Sequence, residues 1–433
     1  MSHTNELPEA WIDVQVEEAI DVISDRGFRI KQKDYLPFGA TPVIDQGDGI
    51  VGGYTDEPEA RVEAPLPIIV FGDHTRRFKF VTFPFAVGAD GVKLFHPTEI
   101  WNSRFLFHQL GTVDLEDRGY GRHYQHLRKE LLVLPPFREQ TRIVEKLEEL
   151  LSDLDAGVAE LKAAQKKLRQ YRQSLLKAAV EGALTVGGKP YPLKSLGELV
   201  SSIGQGWSPR CENFSSDDPH TWSVIKTTAI QPLKFEGQYN KVLPSTLRPR
   251  DQLELKVGDL LVTRAGPRSR VGITCLVRSV RTKLILCDKA YRIRVKEEEI
   301  NPAFLELVLN APHMVHAIDA LKSGINDSGL NLTQDRFSSL EIPVPSLNEQ
   351  ENIVELMASL TSEIDAQERA VEVGMKQSAA QRKNILKAAF SGLLVPQDPN
   401  DEPASVLLER IRSERAACEK NKPGKSSRRV AHA

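Results

Sequence analysis

The sequence predicts an α+β fold in which two mixed α/β domains alternate with two long helices. The helices pair as an antiparallel coiled coil, and the whole forms a pseudo-twofold tandem repeat. Three observations lead there. The stretch LPPFREQTRIVE at 134–145 returns as VPSLNEQENIVE at 344–355, and the match continues without a gap to Gly182 and Gly392. Roughly 17 of about 46 aligned positions are identical, too many for chance, so one unit has been duplicated. The repeated segments carry apolar residues at steps of three and four, and the stretches between them carry Pro, Gly and short apolar runs.

The first domain, residues 1–136, contains the strand-like runs Pro42-Val43-Ile44, Leu66 to Phe71 and Phe78 to Phe83. Short β-branched runs divided by turn residues predict an irregular sheet. The first long helix falls in 137–188. Its stripe of Ile143, Leu147, Leu150, Leu154, Val158, Leu161, Leu168 and Leu175 makes one narrow apolar seam, which needs a partner helix. The second domain, 189–345, has the runs Trp222 to Ile225, Asp259 to Thr263 and Val271 to Val277. The second helix, in 346–395, keeps the seam with Ile353, Met357, Leu360, Ile364, Val371 and Ile385, so each helix finds its partner in the other copy. Pro135-Pro136 and Pro343 with Pro345 precede the helix starts, and the glycines of LKAAVEG and LKAAFSG follow their ends. Gly157 and Gly374 predict a bend or stutter near mid-length. Residues 396–433 read as a linker, a short amphipathic helix over Ala404 to Ala417 and a basic tail from Glu419.

Bulk properties narrow the function. A chain of 433 residues exceeds one ordinary core. Its net charge of -2 gives no global sign of a nucleic-acid partner, so such a sign has to be local. The four cysteines are far apart with no CxxC pair, which argues against a zinc knuckle or a disulfide scaffold and for reduced thiols. No apolar leader and no run of the roughly 18 apolar residues needed to cross a bilayer are present, so the expected location is cytoplasmic, with no membrane partner.

The local sign lies at 241–296, where 14 Lys and Arg face 4 Asp and Glu. Within it, Thr263, Arg264, Arg268, Ser269 and Arg270 belong to a glycine-containing basic loop directly after an apolar strand. Such a loop brings main chain close to a ligand, and its arginines can pair a guanine edge or a phosphate. The first domain has a counterpart in Asp73, His74, Thr75, Arg76 and Arg77, also after an apolar strand. Each domain then has a second polar loop upstream of its helix: Gly119 to Tyr124, with Arg122 and His123, and Ser323 to Ser328, with Asn326. A single arginine in such a loop is more often a solvated side chain than a contact. Recurrence at matching places in both halves favours DNA binding for the loops as groups.

Signals for catalysis fail on inspection. Gly47 to Gly52 fits GxGxxG, but Gly53, Pro58 and a cluster of acids follow where a phosphate-binding helix has to begin. Leu134-Pro135-Pro136-Phe137 resembles an adenine methyltransferase motif, yet Leu134 offers no hydrogen bond to an amine, and Val344-Pro345-Ser346-Leu347 shows that the segment stops a strand and starts a helix. His123 with His126 and His313 with His316 share a spacing but no third ligand, so packing histidines are favoured over a metal site. The expectation is a binder with no catalytic residue, no metal and no cofactor of its own.

The order of variable domain, helix from PPFREQTRIVE to LKAAVEG, variable domain, and helix from PSLNEQENIVE to LKAAFSGLLVPQDPNDEPASVLLERI resembles the specificity subunit of type I restriction-modification enzymes. The strings VFGDHTRRFKF, WSVIKTTAI and GDLLVTRAG also look like parts of its recognition domains. The resemblance implies two target-recognition domains, each reading one half of a bipartite asymmetric site in double-stranded DNA, with the helices setting the spacer and docking two modification (methyltransferase) subunits. It further implies restriction (translocase/nuclease) subunits, with S-adenosylmethionine, ATP and Mg in those partners. On this reading Glu139, Gln140, Glu349 and Gln350 cap or orient the helix starts, and faces near Lys177 and Lys387 meet the modification subunits. The residues alone also fit a coiled-coil scaffold that binds proteins without DNA specificity; it predicts no salt-sensitive DNA affinity.

Overall fold

A computed structural model of the chain describes residues 7–24, 27–88, 91–117, 119, 121–184 and 190–420, with side chains described to 414. The predicted basic tail beyond Lys420, and Tyr120 of the loop upstream of the first helix, lie outside the described residues. Two compact units emerge, one built from residues up to 160 and from 374 onward, the other from 161–373. Compactness therefore follows the pairing of the helices rather than the linear sections, because each unit holds one mixed domain and a part of each long helix.

The long helices span Phe137–Val180 and Leu347–Ala389, 44 and 43 residues. At about 1.5 Å per residue, each is about 65 Å long. Strands Leu131–Leu134 and Glu341–Pro343 stop just before them, the first directly ahead of Pro135-Pro136 and the second ending at Pro343 with Pro345 close behind, since proline lacks the N–H a ladder needs. Both helices close alike. Gly182 and Gly392 take φ of 79° and 73°, and the next residue's N–H reaches back to a carbonyl five residues earlier, Ala183 to Ala178 and Leu393 to Ala388. That geometry needs a left-handed residue, which glycine adopts without a Cβ clash. Gly157 and Gly374 interrupt neither helix.

The seam packs as the apolar spacing requires. In the first unit Ile143, Leu147 and Leu151 share a core with Ile385, Ala389 and Phe390. In the second, Leu175, Leu176 and Ala179 share one with Ile353, Met357 and Ile364. Arg382 pairs Asp155 in the first unit, and Arg172 pairs Asp365 at 2.5 Å and Glu368 at 3.0 Å in the second. Arg172 and Arg382 occupy one repeat position, and Asp155 and Asp365 another. Partner numbers fall along one helix as they rise along the other, so the pairing is antiparallel.

The mixed domains share a topology that their sequences barely show. In the first, strands run Ile20–Ile23, Val92–Pro97, Ile68–Gly72, Phe78–Val81 across one antiparallel sheet. In the second, Val200–Gln205, Ala290–Val295, Leu260–Thr263 and Thr274–Leu276 repeat that order and sense. Beside each lies a smaller sheet. Thr41–Ile44 sits between antiparallel Gly53–Thr55 and parallel Ala86–Gly88; Ser223–Ile225 sits between antiparallel Asn240–Val242 and parallel Leu284–Ile285. A two-stranded clip closes each domain where chain enters and leaves, Ile12–Gln15 on Leu131–Leu134 and Leu193–Ser195 on Glu341–Pro343.

The helix Ala404–Lys420 buries Ala404, Leu407, Leu408 and Ile411 in the first unit's core. Its amphipathic pattern thus has a destination inside this chain.

Candidate nucleic-acid interface

Each helix start is locked to its domain by the repeated Glu-Gln pair. Gln140 is fully buried; its Oε1 accepts from Asn102 N at 2.7 Å and its Nε2 donates to the carbonyls of Ile100 and Pro135, both at 3.0 Å. Gln350 repeats this with Asn301 N at 2.7 Å and the carbonyls of Glu299 at 3.2 Å and Pro345 at 2.9 Å. Asn102 and Asn301 in turn cap the helices Ser103–Leu110 and Pro302–Asn310, accepting from the amides two and three residues on. Glu139 accepts from the Trp11 indole at 2.9 Å and from Gln397 at 2.7 Å, while Glu349 accepts from the Tyr191 hydroxyl at 3.0 Å. Burial pushes the Glu139 carboxyl up, against the pull of those two donors. The Glu-Gln pair does orient the helix starts, as expected. Its partners Trp11, Tyr191, Asn102 and Asn301 escaped the sequence reading, although an aromatic residue before each clip strand and an asparagine ahead of each short helix were there to be seen.

The paired polar loops of each domain come together. In the first unit a tight turn puts Arg76 at φ 60°, and its guanidinium donates to Leu115 O at 2.8 Å and Asp117 Oδ2 at 2.9 Å. The Gly119 amide, first, and Arg76 hold the Asp117 carboxyl below the usual range. Asp73 Oδ1 accepts from Tyr124 N at 2.7 Å, and its carbonyl accepts from His123 N at 3.1 Å and Nδ1 at 2.8 Å. In the second unit Ala265 and Gly266 pair with Asn331 and Leu330, while Arg268 donates to Asp327 at 3.0 Å and Asp319 at 2.8 Å.

Individual residues divide sharply. Asp73 and His123 are buried and join the two loops of the first unit. Thr263 is also buried; its hydroxyl accepts from Ile273 N at 2.9 Å and donates to Arg270 O at 2.5 Å. Arg270 donates to Gln231 at 3.2 Å and to the carbonyls of Thr227 and Ile230 at 2.7 and 2.8 Å. Arg264 donates to Asp288 O at 3.1 Å and lies over the Tyr291 ring at 5.4 Å. Arg76 and Arg268 are engaged as described. Of the residues expected to contact DNA, Asp73, His123, Thr263 and Arg270 thus have polar groups bonded within the chain. The remaining exposed residues are Thr75, Arg122, Ser269, Asn326 and Arg77, the last in an ion pair with Asp48, with His74 half-buried. The physical reason is general: short irregular strands leave many loop carbonyls unpaired, and arginine brings five donors to them. Arg281 and Arg292 do the same for the carbonyls of Ser216, Thr221, Gln252 and Glu254.

Two cavities are large enough to matter. One, about 760 Å³ in the first unit, is lined by Arg76, Arg77, Lys79, His108 and Arg382 among others. Each of the cations among these faces a carboxylate, Arg76 Asp117, Arg77 Asp48, Lys79 Asp45 and Arg382 Asp155, while His108, whose proton burial disfavours, lies by Glu148. The other, about 730 Å³ in the second unit, is lined by Arg210, Lys226, Lys241 and Lys289 together with Cys211, Glu212, Cys287 and Asp288. Among the described residues no cluster of three His, Cys, Asp or Glu side chains is placed to hold a metal ion. The glycines at 52 and 53 make room for the Asp45 carboxylate and the Tyr35 ring, so the GxGxxG stretch is a packing feature. No helix among the described residues is long and apolar enough to cross a membrane.

A family model, the type I restriction modification DNA specificity domain, matches residues 197–372, most of the second unit. The EcoEI type I restriction enzyme specificity subunit of Escherichia coli is 40% identical over 150 residues, covering 35% of this chain and 25% of that protein. The EcoBI specificity subunit, also from Escherichia coli, is 27% identical over 350 residues, covering 73% of each. The chain thus spans a quarter of the first relative and nearly three quarters of the second. A solved structure from work on complex assembly and conformational transition of the type I R-M system shares the fold, with a TM-score of 0.65 at 18% identity over 90% of this chain and all of that one.

Proposed function

We propose that this chain, a member of the family of type I restriction-modification specificity subunits, is the DNA sequence-recognition subunit of such a complex and carries no catalytic site of its own. Each mixed domain reads one half of a bipartite, asymmetric site in double-stranded DNA. The long helices set the spacer and dock two modification subunits, and restriction subunits join that assembly. S-adenosylmethionine, ATP and Mg act in the partners.

The observation that carries this reading is the duplication itself. Two domains of one strand order, each fixed by the same Glu-Gln lock to the start of a long helix, are what reading two unrelated half-sites at a fixed interval requires. The domains are free to diverge in sequence, since each faces different bases, while the helices are held to one pattern by pairing with each other. The exposed members of the paired loops, Thr75, Arg77, Arg122, Ser269 and Asn326, with His74, are the proposed reading surface. Exposed faces near Lys177 and Lys387, the same repeat position in both helices, suit a partner that binds twice.

The test is methylation mapping in a strain holding this chain with its modification subunit, and in the same strain lacking the chain. Loss of adenine methylation at one bipartite motif is the expected result. Methylation unchanged by the deletion, with the partner shown to be expressed, overturns the proposal and favours a scaffold without DNA specificity.

A further inference from the structure

In the second unit the carboxyl ends of two parallel strands, Ser223–Ile225 and Leu284–Ile285, open on the same edge of the small sheet. Lys226 follows the first, and Asp288 and Lys289 follow the second after two residues. Lys241 lies in the antiparallel neighbour, opposite Val224. The segment carrying Arg210 is held beside them by Trp207 N on Leu286 O at 2.9 Å and by Ser208, whose hydroxyl donates to Asp288 Oδ1 at 2.5 Å. The sheet's own topology thus gathers four cations into one cleft of about 730 Å³.

What distinguishes this cleft is that the side chains of Arg210, Lys226, Lys241 and Lys289 find no hydrogen-bond acceptor or carboxylate partner among the described residues. The cleft's two carboxylates do not balance them: Glu212 and Asp288 against four cations leave two positive charges. In the first unit the same topological place, just after Thr41–Ile44, holds Asp45, which takes Lys79 at 3.4 Å and the Gly47 amide at 2.9 Å. The arginines that the sequence made prominent have internal acceptors, and Arg264 serves the cleft only by binding the carbonyl of Asp288.

We propose that this cleft grips the phosphate backbone of the DNA half-site read by the second unit, with Arg210, Lys226, Lys241 and Lys289 as its phosphate ligands. Three ammonium groups on flexible stems, spread along an open cleft without internal partners, suit a run of phosphates better than one base edge, and the Arg210 guanidinium can add a bidentate phosphate contact. The inference rests on the DNA-recognition reading of the previous section and adds a site to it. It also makes the chain asymmetric: one unit holds its half-site by backbone charge here, and its counterpart does not.

The experiment is equilibrium binding of the full chain, in complex with its modification subunits, to two duplexes, one with the mapped motif and one with it scrambled, over a series of salt concentrations. Removing one phosphate-binding cation should lower the slope of log K against log salt by about 0.9, so Lys226→Ala, Lys241→Ala and Lys289→Ala combined should lower it by about 2 to 3. Affinity for both duplexes should fall by a similar factor, about tenfold or more at low salt, because phosphate binding carries no sequence information. Arg268→Ala, whose guanidinium is engaged by Asp319 and Asp327, should leave the slope unchanged. An unchanged slope in the triple variant overturns the proposal, as does a loss of discrimination between duplexes at unchanged slope, which would make these lysines base readers. The single Lys→Gln variants provide the same reading if the triple variant folds poorly. Wild-type complex that shows no salt-dependent binding to either duplex refutes the recognition function instead, a distinguishable result.

Discussion

Replacing Gln140 or Gln350 by leucine should loosen the unit it serves and leave the other intact. Each amide makes three hydrogen bonds to main-chain groups at 2.7–3.2 Å, and neither side chain is exposed to solvent. Leucine fills nearly the same volume and satisfies none of them. One amide N–H and two carbonyls are left unpaired, at about 1–3 kcal/mol each, so a loss of about 3–5 kcal/mol is expected after partial relaxation. That is a large share of the about 5–15 kcal/mol that holds a typical domain. Hydrogen exchange reads it locally. The Asn102 amide, which donates to Gln140, should exchange about a hundredfold faster or more in Gln140→Leu, with the Asn301 amide unchanged; Gln350→Leu should reverse the pattern. The double variant should show both changes additively, because the two sites share no partner. A loss below about 1 kcal/mol in either variant, or acceleration at both amides from one substitution, refutes the reasoning that these locks are independent and tight.

Other outcomes follow from particular groups. The Glu139 carboxyl is pushed up by burial, so the folded first unit binds its proton above the ordinary range near 4.5; stability should fall as pH rises through that raised value, and Glu139→Gln should remove this slope in urea titrations taken across it. Burial raises the thiols of Cys275 to about 12 and Cys287 to about 11, so at pH 8 mass spectrometry should find both unmodified by an alkylating reagent until the chain is unfolded. Arg382→Ala should cost no more than about 1 kcal/mol in chemical denaturation, because its pair with Asp155 is largely exposed. Removing four residues from the middle of the first long helix, about 6 Å of rise, should change the preferred spacer by one or two base pairs at about 3.4 Å each in methylation mapping; an unchanged spacer refutes the ruler.

The long helices were legible because periodicity, proline and glycine act locally, and their pairing because duplication placed Arg172 and Arg382, and Asp155 and Asp365, at equivalent positions. The shared sheet topology was only partly legible. Short strands such as Leu284–Ile285 gain their identity from a parallel neighbour some sixty residues away, Ser223–Ile225, which no local pattern reveals. The site was the least legible part. A count of basic residues marks Arg264, Arg268 and Arg270 but cannot tell a guanidinium facing solvent from one satisfying the carbonyls of Thr227 and Ile230. The grouping of Lys226, Lys241 and Lys289 depends on strand neighbours, and so it emerged only with the fold.

The central claim, that each mixed domain reads its own half of one DNA site, is tested most directly by exchanging residues 190–345 for the corresponding domain of a relative with a known motif and mapping methylation with the same modification subunits. The account predicts that one half-site changes to that of the donor while the other half-site and the spacer stay as they were. A hybrid that methylates and alters both half-sites together, or neither, contradicts it.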